Sequence, residues 1–426
     1  MTLNMNTIPK FNIKVIDLKN EIDIKNYFLY SKYLKKEKIY WRNFQLEIIG
    51  IGFLISSEFS NEKEYHNLIN DYKAILKKNQ PIFDELKIPF IFIGSSFNLN
   101  QNKDNDIWSE FPKGKIFIPK VLIISNNKYQ KAILLSSDEA PNNDFDVLEK
   151  SDFIFNSKSF ITPNNSDNDQ NQYKDIVDKA IKLITNKTLS KIVLSRQKSY
   201  SIKSRDDVLF NLISQNNIKD NTTNFIFDLQ ERGTFFGSSP ETLFSLSDNK
   251  LKTEAIAGSF KDTENVDLNK SKKEVQEHNF VVNYLKKQLT DFSSEIKIYN
   301  NDIMRLNKIS HIRTKIESTI DKKYDAFNIL YQIHPTPAVA GNPKNLSMQK
   351  IEELEPHNRG WYSGAMGWID NKQDAHFIVT IRSGIIKKNL LNIYAGCGIT
   401  KDSDANAEYN ESEMKFDYIL SKLNNE

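Results

Sequence analysis

Three extended runs near the C-terminus limit the fold most: Tyr362–Ile369, Ala375–Ser383 and Asn389–Ala395. Five residues separate each run from the next. A parallel pair needs a crossover of about a dozen residues, so connections this short imply an antiparallel meander. Further upstream, Lys191–Tyr200 and Asn224–Asp228 read as strands, with shorter extended runs at Thr234–Gly237 and Thr242–Leu246. The last of these joins Leu251–Ile256 through Ser247-Asp248-Asn249-Lys250. In the first third, Leu46–Ile55, Ile88–Ile93, Lys115–Ile124 and Lys131–Ser136 are strand-like. Glu64–Lys77 has helical spacing, with Tyr65, Leu68, Ile69, Tyr72 and Ile75 on one side. Lys174–Ile184, Lys270–Phe292 and a closing segment around Asn406–Lys422 complete the predicted helices. Helices laid on antiparallel strands predict an α+β architecture.

The 426 residues suffice for two or three domains, or for one large duplicated one. Two polar tracts, Asn98–Asp106 and Asn164–Gln172, are too poor in apolar residues to order themselves and read as long loops or linkers. The second divides the chain into residues 1–163 and 173–426. Apolar residues at 39% sustain a sizeable core. A net charge of +3 (58 basic against 55 acidic side chains) makes no case for nucleic acid. The longest apolar runs, such as Ile88–Ile93, fall far short of the ~20 residues of a bilayer span. Cys397 is the only cysteine, which excludes an intrachain disulfide and a cysteine-based zinc site and predicts a reducing, cytoplasmic setting. The first residues show neither the basic nor the apolar region of a signal peptide.

Several groups could carry chemistry. Glu274, Glu277 and His278 share one face of the long helix, as do Glu408, Glu411 and Lys415 on the last. Such faces are ordinarily solvated. The alternative is that the two meet across a cleft and share a hard divalent cation. Lys191 opens a strand and shares a face with Val193 and Ser195. A Lys at a strand edge is ordinarily in water; in a closed cleft it becomes a candidate base. In Gly237-Ser238-Ser239-Pro240-Glu241, the proline ends the preceding ladder and sets Glu241 on a fixed corner, or in an ordinary turn. Three short Gly-containing segments, around Gly258, Gly341 and Gly396, read as turns that could approach a ligand. Arg382, in a strand among apolar neighbours, needs an anionic partner.

Taken in order, nine segments resemble the chorismate-utilising enzymes, and within them the isochorismate synthases. They are KIVLSR (191–196), GSSPETLF (237–244), TEAIAGS (253–259), SKKEVQEH (271–278), HPTPAVAG (334–341), RGWYSGAMGWID (359–370), TIRSG (380–384), YAGCGIT (394–400) and ExxExxxK (408–415). The resemblance implies that family's duplicated fold, with large antiparallel sheets covered by helices and residues 1–163 as its variable first half. It implies Lys191 as the general base that activates water and Glu241 as the general acid. Glu277 and Glu411 become the Mg²⁺ ligands, with Glu274 and Glu408 beside them. Gly258, Ser259, His311, Arg382, Gly396 and Lys415 become substrate-binding residues.

The implied reaction is conversion of chorismate to isochorismate, for menaquinone or catecholate siderophores, by a monomer or weak dimer. No amidotransferase subunit, nucleic acid or membrane is expected as a partner. Water is the expected nucleophile because Lys191 stands where the ammonia-using anthranilate synthases carry Gln. Ala257 stands where aminodeoxychorismate synthases carry a nucleophilic Lys. The alternatives are a salicylate synthase, which goes on to eliminate pyruvate, and a non-catalytic chorismate-binding homologue. An ordinary Lys (about 10.4) and an ordinary Glu (about 4.3) hold the wrong proton for base and acid at neutral pH, so the resemblance requires a closed, partly desolvated pocket around both.

Overall fold

The computed structural model describes residues 8–18, 23–31, 35–83, 86–101, 106–126, 128–137, 159–164, 169–214, 222–261, 272–306 and 309–424. Every strand pairing among them is antiparallel, and the ladders form two long sheets that share one strand, Gly114–Ser125. On one side of that strand, pairing runs through Glu47–Phe59, Lys38–Arg42, Thr223–Asp228, Thr234–Ser239, Ser383–Lys387 and Leu390–Ile399 to Lys191–Ile202. On the other it runs through Pro89–Ser95, Ala365–Asp370, Ala375–Val379, Thr242–Ser247 and Lys250–Lys261 to Ile309–Ile320. Strands Lys38–Arg42, Glu47–Phe59, Gly114–Ser125 and Pro89–Ser95, all before residue 163, thus form one contiguous block, flanked on both sides by strands from after residue 173.

Period-two alternation splits the first sheet between two cores. Tyr40, Ile49, Ile226, Phe236 and Ile393 face helices Ile24–Tyr30, Arg205–Ser214 and Ala405–Asn424. Their neighbours Trp41, Ile48, Phe225 and Phe227 face inward and meet the second sheet. Phe227 stacks on Trp361 with centroids 5.1 Å apart and on Phe117 at 5.2 Å. The long helix Lys272–Thr290 lies against strand Lys250–Lys261 and buries Val281, Leu285 and Leu289.

Several expectations need correction. The Ala375–Ser383 run is two strands, Ala375–Val379 and Ser383–Lys387. The chain breaks between them at Arg382, whose φ of +52° leaves the strand region. The two strands join different sheets, so the last three runs form no simple meander. The segments around Gly258 and Gly396 are strand interior, not turns, and Gly341 belongs to a two-residue strand on the edge of Lys191–Ile202. The tract Asn164–Gln172 is helical from residue 169, as the first turn of Asp169–Thr185. Residues 165–168, residues 102–105 of the other tract, the N-terminal residues 1–7 and Ser271 lie outside the described residues. Strands Asn12–Asp17, Lys38–Arg42 and Ile309–Ile320, and helices Ile24–Tyr30, Arg205–Ser214, Ala326–Ile333 and Lys344–Leu354, were not anticipated.

Candidate active site

A cavity opens where the far ends of the two sheets face each other. Val193, Ala395, Gly396 and Gly398 line it from one sheet, and Ile256–Ser259 and His311 from the other. The corner Pro240–Glu241, the helix residues Glu277, Glu411 and Lys415, and Arg382 also line it. Two helices distant in sequence thus bring their acidic faces to one space. Gly258 permits this approach. It sits at a bulge in the Ala257/Ser259 register with φ +78°, and a Cβ there would meet the Glu274 carbonyl at 2.7 Å. Gly398 is equally constrained, since its Cβ would fall 2.0 Å from Glu277 Oε1 and 3.0 Å from Lys191 Cε.

Lys191 is fully buried, not solvated. It stands just behind the cavity wall, with Nζ 3.0 Å from Glu277 Oε1 but no aligned hydrogen-bond partner among the described residues. Glu241 is 5% exposed. Burial, reinforced by the charge of Glu254 and opposed by Lys191, pushes its carboxyl up to about 8. The corner thus presents to the cavity a largely buried acid that keeps its proton through neutrality.

At the other end, Lys415 Nζ donates to Glu411 Oε1 (2.6 Å) and to the Gly396 carbonyl (2.7 Å). Burial opposes ionisation of Glu411, but Lys415, helped by Ser259 and His311, holds its carboxyl well below the usual range. Glu408 goes the other way, raised by burial and by the charge of Glu411 against the pull of Lys273, which donates to it at 2.6 Å. Ser259 Oγ lies 3.2 Å from His311 Nδ1. Burial and the cations Arg382 and Lys415 push His311 down to about 3, so its imidazole is neutral at any working pH. Arg382 is 7% exposed, and its Nη1 has no hydrogen-bond partner among the described residues. Arg382 lines the cavity, and a desolvated guanidinium there is a candidate site for a carboxylate.

Residues 8–424 match the family described as "Chorismate binding enzyme". The chain belongs to the chorismate-binding enzymes. The isochorismate synthase MenF of Bacillus subtilis (strain 168) is 25% identical over 437 residues, which cover 95% of this chain and 92% of that protein. Anthranilate synthase component 1 of Saccharolobus solfataricus is 34% identical over 266 residues, 60% of this chain and 62% of that one. Among solved structures, MenF, the menaquinone-specific isochorismate synthase from Escherichia coli, superposes with a TM-score of 0.76 at 22% identity, over 97% of this chain and 95% of that one. That likeness shows the shared fold. Among the described residues, no helix is long and apolar enough to cross a membrane.

Within this chorismate-binding enzyme, Lys191 and all of the binding, acidic and acid–base residues anticipated from sequence lie in or against one cavity. Glu277 and Glu411 both line it, while Glu408 sits behind Glu411 and Glu274 beside Gly258. His278, which shares the acidic face in sequence, turns away, fully buried and 2.7 Å from Thr314 Oγ1. The donor chemistry fits a hard cation, because the groups on offer are carboxylates. The nearby Cys397 thiol is a poor candidate. Burial pushes it well above its ordinary value, and its Sγ lies 3.3 Å from the Glu408 carbonyl, to which it donates. Glu277 and Glu411 are each paired with a lysine, so a cation and those lysines compete for the same oxygens. Tyr362, Tyr394 and the Ala338–Val339 backbone also line the cavity and were not singled out beforehand. Only the short spacing of Gly396 and Gly398 hinted that something bulky, here the Tyr362 hydroxyl and Glu277, must pack on that strand.

Proposed function

We propose that this protein converts chorismate to isochorismate. The reading rests above all on Glu241, a carboxylic acid that lines the cavity, stays protonated to about 8 and feels the charge of nearby Lys191. Hydroxide is a poor leaving group, so loss of the ring C4 hydroxyl needs a proton donor, and attack of water at C2 needs a base. In this reading Glu241 gives the first proton, and Lys191 takes the second after losing the proton that its ion pair with Glu277 implies. Arg382 Nη1 and Lys415 are the groups for the substrate carboxylates, with Ser259 and neutral His311 as hydrogen-bonding neighbours. Lys191, at the position where relatives that use ammonia carry Gln, favours water as nucleophile. The near-full-length likeness to a Bacillus subtilis isochorismate synthase supports the same reading.

Glu277 and Glu411 are the residues that would hold Mg²⁺, with Glu274 and Glu408 adjoining. When bound, the ion supplies positive charge that orients and neutralises a substrate carboxylate. The product serves menaquinone or catecholate siderophore formation.

Incubation of the purified protein with chorismate and MgCl₂, followed by chromatography, tests the reading. Isochorismate without free pyruvate is the expected result. Salicylate with equimolar pyruvate, formed without an added lyase, would replace it with a salicylate synthase. Binding without any turnover would leave a chorismate-binding homologue.

A further inference from the structure

The strand that begins at Lys191 has an unusual edge. Its first residues pair with the two-residue strand Gly341–Asn342, and the Val193 amide still donates to the Ala340 carbonyl at 2.9 Å. The neighbouring chain then turns away, leaving the Val193 carbonyl and the Ser195 amide on the same edge. Two side chains take over where the backbone stops. Arg359 Nη2 donates to the Val193 carbonyl at 2.7 Å, and Glu355 Oε1 accepts from the Ser195 amide at 2.6 Å. Arg359 Nη1 reaches back to the Val339 carbonyl at 2.8 Å. The two side chains are joined to each other by Nε to Oε2 (2.9 Å) and Nη2 to Oε1 (2.6 Å), a bidentate pair. Val193 and Val339 both line the cavity.

We propose that Glu355 and Arg359 are positioning residues for the reaction: their ion pair stands in for the missing rung of the ladder and locks the wall that carries Lys191 against the wall formed by Ala338–Val339. This rests on the isochorismate-forming reading for its kinetic consequence, though not for its geometry. Glu355 and Arg359 are 3% and 1% exposed. Burial opposes both charges, yet each holds the other ionised. Replacing a buried ion pair by apolar residues of similar volume is often neutral or stabilising, so stability alone is a weak reason for keeping one here. A geometric reason is stronger. The planar guanidinium presents several donors in one fixed fork, and here three carbonyl or carboxylate groups from separate segments are held by it at once. A Lys ammonium cannot reproduce that fork. Among the described residues Lys191 Nζ has no aligned hydrogen bond beside its ion pair with Glu277, so its place also depends on the backbone beneath it.

The test compares Arg359→Lys with the apolar double variant Glu355→Leu/Arg359→Met. In each we expect kcat for chorismate to fall by about 100-fold, the cost of a misplacement near 1 Å, with KM within about threefold of wild type. The double variant leaves the Val193 and Val339 carbonyls and the Ser195 amide without these partners, so its melting temperature should fall, and kcat per folded molecule should still be lost. Mass-spectrometric hydrogen exchange should show the 193–195 amides exchanging faster in both variants, with strands Glu47–Phe59 and Ile309–Ile320 unchanged. A folded double variant with wild-type kcat, or 193–195 amides that exchange no faster, overturns the proposal. If Arg359→Lys fails to fold, the double variant decides it. A wild-type protein that makes no isochorismate would refute the functional reading alone, and the exchange measurement would still judge the ladder.

Discussion

The two ends of the cavity handle charge in opposite ways. At the Lys191 end a single ion pair with Glu277 stands beside Glu241, an acid that burial keeps neutral. At the Arg382 end two cations, Arg382 and Lys415, face one carboxylate, Glu411, that stays ionised. The same low-polarity surroundings thus raise one carboxyl and fail to raise another. The difference is the nearest partner: Lys415 lies 2.6 Å from Glu411, whereas the cation that pulls on Glu241 is already engaged by Glu277. In the proposed reading, one end moves protons and the other holds an anion. A substrate bearing both a leaving hydroxyl and carboxylates needs both.

The sharpest way to break that division is to remove the proton carriers. Lys191→Ala and Glu241→Gln should each lower kcat by about 10³-fold, within the range of general acid–base catalysis, while thermal melting changes by only a few degrees. Wild-type turnover in either variant would strip the acid–base role from that end. Metal removal should be nearly as severe: dialysis against EDTA is expected to stop turnover and added MgCl₂ to restore it. Glu277→Gln and Glu411→Gln should each raise the MgCl₂ concentration needed for half-maximal rate. Turnover that survives in metal-free buffer would leave both glutamates as partners of lysine only.

The anion-holding end predicts a different signature. Arg382→Ala should raise KM for chorismate by about 10–100-fold, the value of a charge-assisted hydrogen bond, with a smaller change in kcat. Equal losses in both ends' variants, in KM and kcat alike, would erase the contrast.

The smallest effect is on pH. Glu241 must be protonated to act, so kcat should decline above about pH 8. The sign for stability follows: between the ordinary 4.5 and about 8 the folded chain binds a proton that the unfolded chain has lost, so this residue's contribution to folding weakens as pH rises through that window. Glu254 pushes Glu241 upward, so Glu254→Gln should move the alkaline limb to lower pH. A limb that stays put in that variant would assign it to another group.

Much of this site could be read in the sequence because its residues are tied to short local patterns. The Pro240 corner announces where Glu241 must stand, and helical spacing places Glu274 with Glu277 and Glu408 with Glu411. Other features depend on contacts between distant segments and left no local trace. Arg382 reads as a strand residue because its neighbours are β-formers, yet the change of sheet at that point forces a positive φ. Gly258 and Gly396 read as turns because glycine usually makes them; here the close approach of a helix backbone and of a tyrosine hydroxyl explains them. His278 shares a helical face with two acids by spacing, but the neighbouring strand captures it through Thr314. In the first third, the alternating runs were visible, while the partnership of Lys38–Arg42 with Thr223–Asp228 was not, since pairing across so long a separation is not encoded nearby.

The strand Gly114–Ser125 belongs to both sheets, and each sheet supplies one side of the catalytic space. The gap between the side lined by Val193 and the side lined by His311 is therefore gauged some distance away, by a twelve-residue segment in the first third of the chain. A proline or a nick in that segment should loosen the separation of the two sides without touching any reacting group, and deleting the N-terminal third to obtain a minimal enzyme would remove the spacer itself.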